Sequence, residues 1–158
     1  MKTYSMFHTL KDLEKSLCDL YKKYGETFRN KDKEAANIFF GLSNEEFNHS
    51  DIIEYMRVAF TNDPVNFKEL DVNLTEVERA LEEVRNALLL EKPVGLEAAV
   101  RFALDLELRL SEQYNIFAVA ESNPKYQKFV QISLETQEHF KKLHAFAWSR
   151  GYGKERSH

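Results

Sequence analysis

Glu14, Glu46, His49, Glu107 and His139 are the residues of this chain whose types and spacing point to chemistry. Each stands where helical periodicity calls for an apolar side chain. Carboxylates gathered in an apolar interior repel one another and are costly to desolvate unless something positive joins them. Two divalent or trivalent metal ions would supply that charge. Oxygen-rich ligation with one imidazole per metal suits iron or manganese better than a thiolate-preferring ion. Glu46-Phe47-Asn48-His49 is a Glu-x-x-His, which puts both side chains on one helix face, one turn apart. Before His139 the corresponding residue is Thr136, so that segment reads Thr-x-x-His.

Helices must position these groups. Ser5 opens a first helix expected to run to about Arg29, and Asn30-Lys31-Asp32 reads as a tight turn with a side-chain cap. A second helix is expected from about Asp32 to Phe60, stopped by Thr61-Asn62-Asp63-Pro64. A connector to Gly95 follows. It contains a short helix opened by the capping box Thr75-Glu76-Val77-Glu78, with apolar residues Val77, Leu81, Val84 and Leu88 that either cover the other helices or meet a second subunit. A third helix starts near Gly95 or Leu96 and runs to about Glu121. Ser122-Asn123-Pro124 turns the chain into a fourth, which ends near Arg150-Gly151.

The apolar seam of each long helix is broken near its middle. Phe7, Leu10, Leu17, Tyr21, Tyr24 and Phe28 flank Glu14; Ala35, Phe39, Leu42, Ile53, Met56 and Phe60 flank Glu46 and His49. Leu96, Val100, Ala103, Leu110, Tyr114 and Phe117 flank Glu107; Phe129, Ile132, Leu143 and Phe146 flank Thr136 and His139. Glu14 and Glu46 are equidistant from residue 30, as Glu107 and His139 are from residue 123. At 1.5 Å per residue each lies roughly 24 Å from its turn, so the interruptions meet at one level. The two halves also match each other. Leu13-Glu14 with Tyr21 repeats as Leu106-Glu107 with Tyr114, and Phe39, Leu42, Glu45, His49 as Phe129, Ile132, Glu135, His139. The repeat carries Glu46 onto Thr136.

Composition bounds the rest. A chain of 158 residues with 5 Gly and 3 Pro, 43% hydrophobic, is neither disordered nor a turn-rich sandwich. A net charge of −4 offers no positive field for nucleic acid. The single cysteine, Cys18, excludes an intrachain disulfide and a zinc ribbon, and reads as a small buried filler. No apolar h-region and no membrane-length apolar run is found, so a cytoplasmic protein without membrane contact is expected.

On these elements the chain resembles the ferritin-like superfamily, and within it the rubrerythrin-type di-iron carboxylate proteins, over residues 5–150. The resemblance implies an all-α, ferritin-like four-helix bundle with a long crossover connector containing a short helix. Residues 1–151 form one such domain and 152–158 a short polar tail. It implies metal ligation by Glu14, Glu46, His49, Glu107 and His139. Tyr21 and Tyr114 are expected in the core, with hydroxyls able to bond a carboxylate beside the metals, and Thr136 is expected beside the same site. Glu135 and Glu138 lie off the seam as exposed helix-face partners, and substitute as ligands only if their helix is rotated or bulged. The implied metal is iron, two ions or fewer per chain, with manganese or zinc as alternatives. The implied function is handling of iron, oxygen or peroxide, as a ferroxidase or as a peroxide reductase with an external electron donor. A homo-oligomer, in the simplest case a dimer, is expected. Two positions depart from the family pattern: Thr136 replaces a ligand Glu, and Leu110 stands where peroxidase-type members carry an extra Glu. The paired-Cys motifs of a rubredoxin-like domain are absent from the sequence. A one-metal module held by Glu14, Glu46 and His49, and a metal-free scaffold, are the competing expectations.

Overall fold

The computed structural model describes residues 2–62, 73–118 and 127–152. It is all-helical, with α1 (Lys2–Phe28), α2 (Lys33–Asn62), α3 (Leu74–Leu89), α4 (Leu96–Ala118) and α5 (Gln127–Ser149). No strand occurs among the described residues. The expected turn at Ser122-Asn123-Pro124, the stop at Asp63-Pro64 and the tail beyond Tyr152 lie outside them, as do the side chains of Phe117 and Phe129.

The side-chain cap expected in the α1–α2 turn is present, whereas that of α3 sits earlier than expected. Between α1 and α2 the cap is Asp32, whose Oδ1 accepts from the Ala35 amide at 3.1 Å. Asn73 caps α3 by accepting from the Glu76 amide at 3.2 Å, so that helix begins before the Thr75 box. The physical reason is the same in both places: a short polar side chain just before the helix satisfies an amide that has no intrahelical acceptor. After α5 the chain turns at Gly151, where φ is +79°, a conformation glycine adopts without strain.

Contacts between elements set the helix directions. Lys11 bonds Glu54 at 3.0 Å near one end of the α1–α2 pair, and Cys18 meets Ser43 further along, so these helices run antiparallel. Near their turn they approach closely, because a Cβ at Gly25 would lie 2.8 Å from the Phe40 ring. Tyr21 bonds Glu107 and Tyr114 bonds Glu14, which makes α4 antiparallel to α1. His49 meets Glu135 while Glu34 meets Arg150, which makes α5 antiparallel to α2. It follows that α2 and α4 run the same way, as a long connector between them permits.

The seams are buried together. Phe7, Leu10, Leu17 and Tyr21 of α1, Phe39, Leu42, Ile53 and Met56 of α2, Val100, Ala103 and Tyr114 of α4, and Ile132 and Leu143 of α5 belong to one core. α3 adds Val77, Ala80, Leu81 and Val84 to that core. Its apolar face therefore covers the other helices. Lys23 anchors it by donating to the carbonyls of Leu88 at 3.2 Å and Leu90 at 2.7 Å, and Arg109 of α4 reaches Glu83 at 2.6 Å. No described helix is long and apolar enough to cross a membrane.

Candidate metal centre

Every seam interruption is inside. Glu14, Glu46, His49, Glu107, Thr136 and His139 are each 2% exposed or less. The carboxylates and imidazoles come from four helices and meet as two triads, Glu14–Glu46–His49 and Glu46–Glu107–His139, each with ligand atoms within 4.8 Å of one another. Glu46 belongs to both. Its Oε2 lies 3.4 Å from His49 Nδ1 and its Oε1 lies 3.2 Å from His139 Nδ1. Glu14 Oε2 is 3.7 Å from His49 Nδ1, and Glu107 Oε2 is 3.7 Å from His139 Nδ1. The two imidazole rings stack, with centroids 5.4 Å apart and planes 18° from parallel.

The atoms facing each other across these triads have no hydrogen-bond partner. They are Glu14 Oε2, both oxygens of Glu46, Glu107 Oε2, and the Nδ1 atoms of His49 and His139. Buried polar atoms are otherwise almost always satisfied, and each orphan costs about 1–3 kcal/mol. Six converging orphans, all of types that donate lone pairs to metals, form a donor set that would suit a cation in each triad, with Glu46 common to both.

The outward-facing atoms of the same side chains meet partners, by hydrogen bond at Glu14, Glu107 and His49 and by an ion-pair contact at His139. Tyr114 donates to Glu14 Oε1 at 2.5 Å, and Tyr21 donates to Glu107 Oε1 at 2.7 Å. Each tyrosine reaches the carboxylate of the opposite helix, so the pair crosses between α1 and α4. The imidazoles cross in the same way. His49 Nε2 is 2.7 Å from Glu135 Oε2 on α5, and His139 Nε2 pairs with Glu45 on α2. A carboxylate on the outer nitrogen fixes the ring orientation and makes the inner nitrogen a better donor.

Burial governs the electrostatics. Desolvation, reinforced by neighbouring Glu46, pushes the Glu14 carboxyl up to about 8. Burial alone would lower the two imidazoles. The surrounding carboxylates outweigh it, raising His49 to about 12 through Glu14 and Glu46, and His139 to about 10 through Glu107 and Glu46. Burial, with the adjacent carboxylates, holds the Tyr21 and Tyr114 hydroxyls well above the usual phenol range, so both remain donors. Burial tends to raise Glu135, but the donors Gln131 and His49 keep it below the usual range.

Other singled-out residues are placed differently. Glu135 does not face the orphan atoms: one oxygen accepts from Gln131 at 2.9 Å and the other meets the outer face of His49. Glu138 is exposed and pairs with Lys141 at 3.2 Å. Thr136 is buried, with its hydroxyl donated to the Ile132 carbonyl at 2.8 Å, so it supplies no carboxylate. Cys18 is only partly buried, its Sγ 3.4 Å from Ser43 Oγ, because that position faces the α1–α2 edge rather than the core. Glu45 had no role in the sequence reading. The available signal was the repeat itself, which pairs Glu45 with Glu135 one residue before Glu46 and Thr136.

No family model, curated protein or solved structure matches this chain.

Proposed function

We propose that this chain is a ferritin-like four-helix-bundle protein of the rubrerythrin type, working in the cytoplasm as a non-haem di-iron carboxylate protein. It holds two iron ions or fewer and acts on oxygen or peroxide, with reducing equivalents from an external donor. The observation that carries the reading is the set of six buried, unpartnered donor atoms in two triads sharing Glu46. In this reading Glu14, Glu46 and His49 hold one ion, and Glu46, Glu107 and His139 the other. Bound there, iron supplies one-electron chemistry between its ferrous and ferric states.

The chain's own residues do the rest. Tyr114 and Tyr21 keep Glu14 and Glu107 turned so that one oxygen of each faces the site. Glu135 and Glu45 hold the Nε2 protons of His49 and His139, leaving each Nδ1 free to donate. Leu10, Leu17, Ile53, Leu110 and Leu143, all buried, keep bulk water from the carboxylates. That exclusion strengthens every charge interaction inside.

A metal-free scaffold is the second reading, and one observation favours it. With both imidazoles protonated and Glu14 neutral, two cationic rings face two carboxylates and the cluster balances its own charge. Against it stands the lack of hydrogen bonds between those rings' Nδ1 atoms and the carboxylates.

Elemental analysis of protein purified without chelator and loaded anaerobically with Fe(II) separates the two. Between one and two irons per chain is expected, followed in stopped flow by oxidation faster than that of free Fe(II). A chain that retains no metal sinks the di-iron reading. Metal retained without oxidation leaves a binding module.

A further inference from the structure

We infer that the loaded centre takes up one small exogenous carboxylate, of the formate or acetate class, beside Thr136 on the α5 side. This rests on the two-metal reading above and names a ligand for the same site.

The two-fold pattern of the centre is complete except at one position. Glu14 is matched by Glu107, Tyr21 by Tyr114, His49 by His139, and Glu45 by Glu135, and the crossed contacts respect that symmetry. Glu46 alone has no carboxylate mate, because its repeat position is Thr136. One turn before His139 and 2% exposed, Thr136 presents its side chain on the same helix face as that imidazole. It is shorter than glutamate by the carboxylate-bearing carbons, and its hydroxyl hydrogen is committed to the Ile132 carbonyl at 2.8 Å. Thr136 itself therefore supplies neither a carboxylate nor a free donor there.

Ligand count and charge point the same way. Six orphan atoms divide as three per ion, whereas hard divalent ions commonly take about six ligands. The three inner carboxylates leave two divalent ions one negative charge short. Glu45 and Glu135 do not make up the difference as ligands, since each is 40% exposed, in contact with water, and turned to an imidazole Nε2. A free carboxylate restores both the missing bridge and the missing charge.

A pocket of about 380 Å³ beside α2 and α5 is lined by Glu34, Leu42, Glu45 and Lys142, among others. Glu34 is paired with Arg150 at 3.0 Å and Glu45 with His139, and Lys142 is the cationic side chain among the lining residues. Glu45 borders both this pocket and the centre.

The test is Mn(II) titration of the full chain by calorimetry, at fixed pH and ionic strength, in formate against chloride. Linkage requires that an anion bound only with the metals tighten them in turn. Binding of the second ion should strengthen about tenfold or more in formate, and Thr136→Glu should bind two ions equally well in both salts. Equal affinity of the wild type in formate and chloride overturns the inference, with water filling the position. No Mn(II) binding in either salt overturns the two-metal reading along with it. If Thr136→Glu does not fold, relaxation of ¹³C-formate over the Mn(II)-loaded wild type decides. Strong paramagnetic relaxation, reversed by excess acetate, supports the site, and relaxation equal to that over free Mn(II) overturns it.

Discussion

His49 Nε2 lies 2.7 Å from Glu135 Oε2, although the two residues are 86 positions apart. The mate of this contact, His139 with Glu45, runs the opposite way between the same two helices. Each half of the repeat therefore orients the imidazole of the other, and the second triad, Glu46–Glu107–His139, draws its shared carboxylate from the first half.

Removing that orientation should weaken the metal more than the fold. Glu135→Ala is expected to lower Fe(II) or Mn(II) affinity about 10- to 100-fold. Because the carboxylate is 40% exposed, metal-free stability should move by about 1 kcal/mol or less. Competition titration against a chromophoric chelator reads the first and urea unfolding the second. Unchanged affinity would reduce the contact to a surface ion pair.

Ions that bind only the folded chain must stabilise it. At a free concentration a hundredfold above Kd, Mn(II) should add about 2.7 kcal/mol. A thermal melt under anaerobic conditions should show a raised Tm, and His49→Ala should blunt the gain by removing one of three donors in its triad. Coincident melts with and without metal would favour the scaffold.

The metal-free protein should lose stability as pH rises. Glu14 sits near 8 when folded against an ordinary 4.5, so its stabilising contribution is present below 4.5 and lost as pH climbs through 8. His139 and His49, raised from 6.5 to about 10 and about 12, contribute below 6.5 and lose that contribution on the way to those values. At these three groups the folded state binds more protons, so each such proton lowers stability by about 1.4 kcal/mol per pH unit within its window. Metal binding at neutral pH should release about three protons, from Glu14, His49 and His139. Calorimetry in buffers of different ionisation enthalpy counts them; no proton release contradicts these charge states.

Tyr114→Phe removes the donor from Glu14 Oε1 and leaves that buried oxygen unsatisfied. The expected cost is about 1–3 kcal/mol in urea unfolding of the metal-free protein. Tyr21→Phe should cost a similar amount through Glu107. A mutant as stable as the wild type would mean the carboxylate turns to another partner.

Asp32→Ala should cost about 1 kcal/mol as a lost helix cap. It also unties Arg150, which bonds Asp32 and Glu34 and so joins the end of α5 to the start of α2. The Arg150 side chain and the Ala35 amide hold the Asp32 carboxyl below its usual 3.8. Its contribution is therefore present above 3.8 and lost as pH falls through the lower folded value. In acid unfolding, wild type and mutant should converge at low pH.

The amino-acid sequence by itself determined the helices, the depth of the site and its inner residues. A 3.6-residue period assigns every position to a face, so a glutamate among leucines on the seam of α1 had to be buried. Equal distances from the turns then put Glu14 level with Glu46. What spacing does not carry is the partner across a helix interface. Glu135 lies off its own seam and so read as a surface residue. It meets His49 only because α2 and α5 pack antiparallel at that register, bringing an off-seam side chain over the imidazole edge. The choice of Nδ1 as the inward nitrogen, the crossing of the tyrosines and the engagement of Thr136 by Ile132 belong to tertiary structure for the same reason. Periodicity is a property of one helix, whereas these contacts depend on how two helices are set against each other.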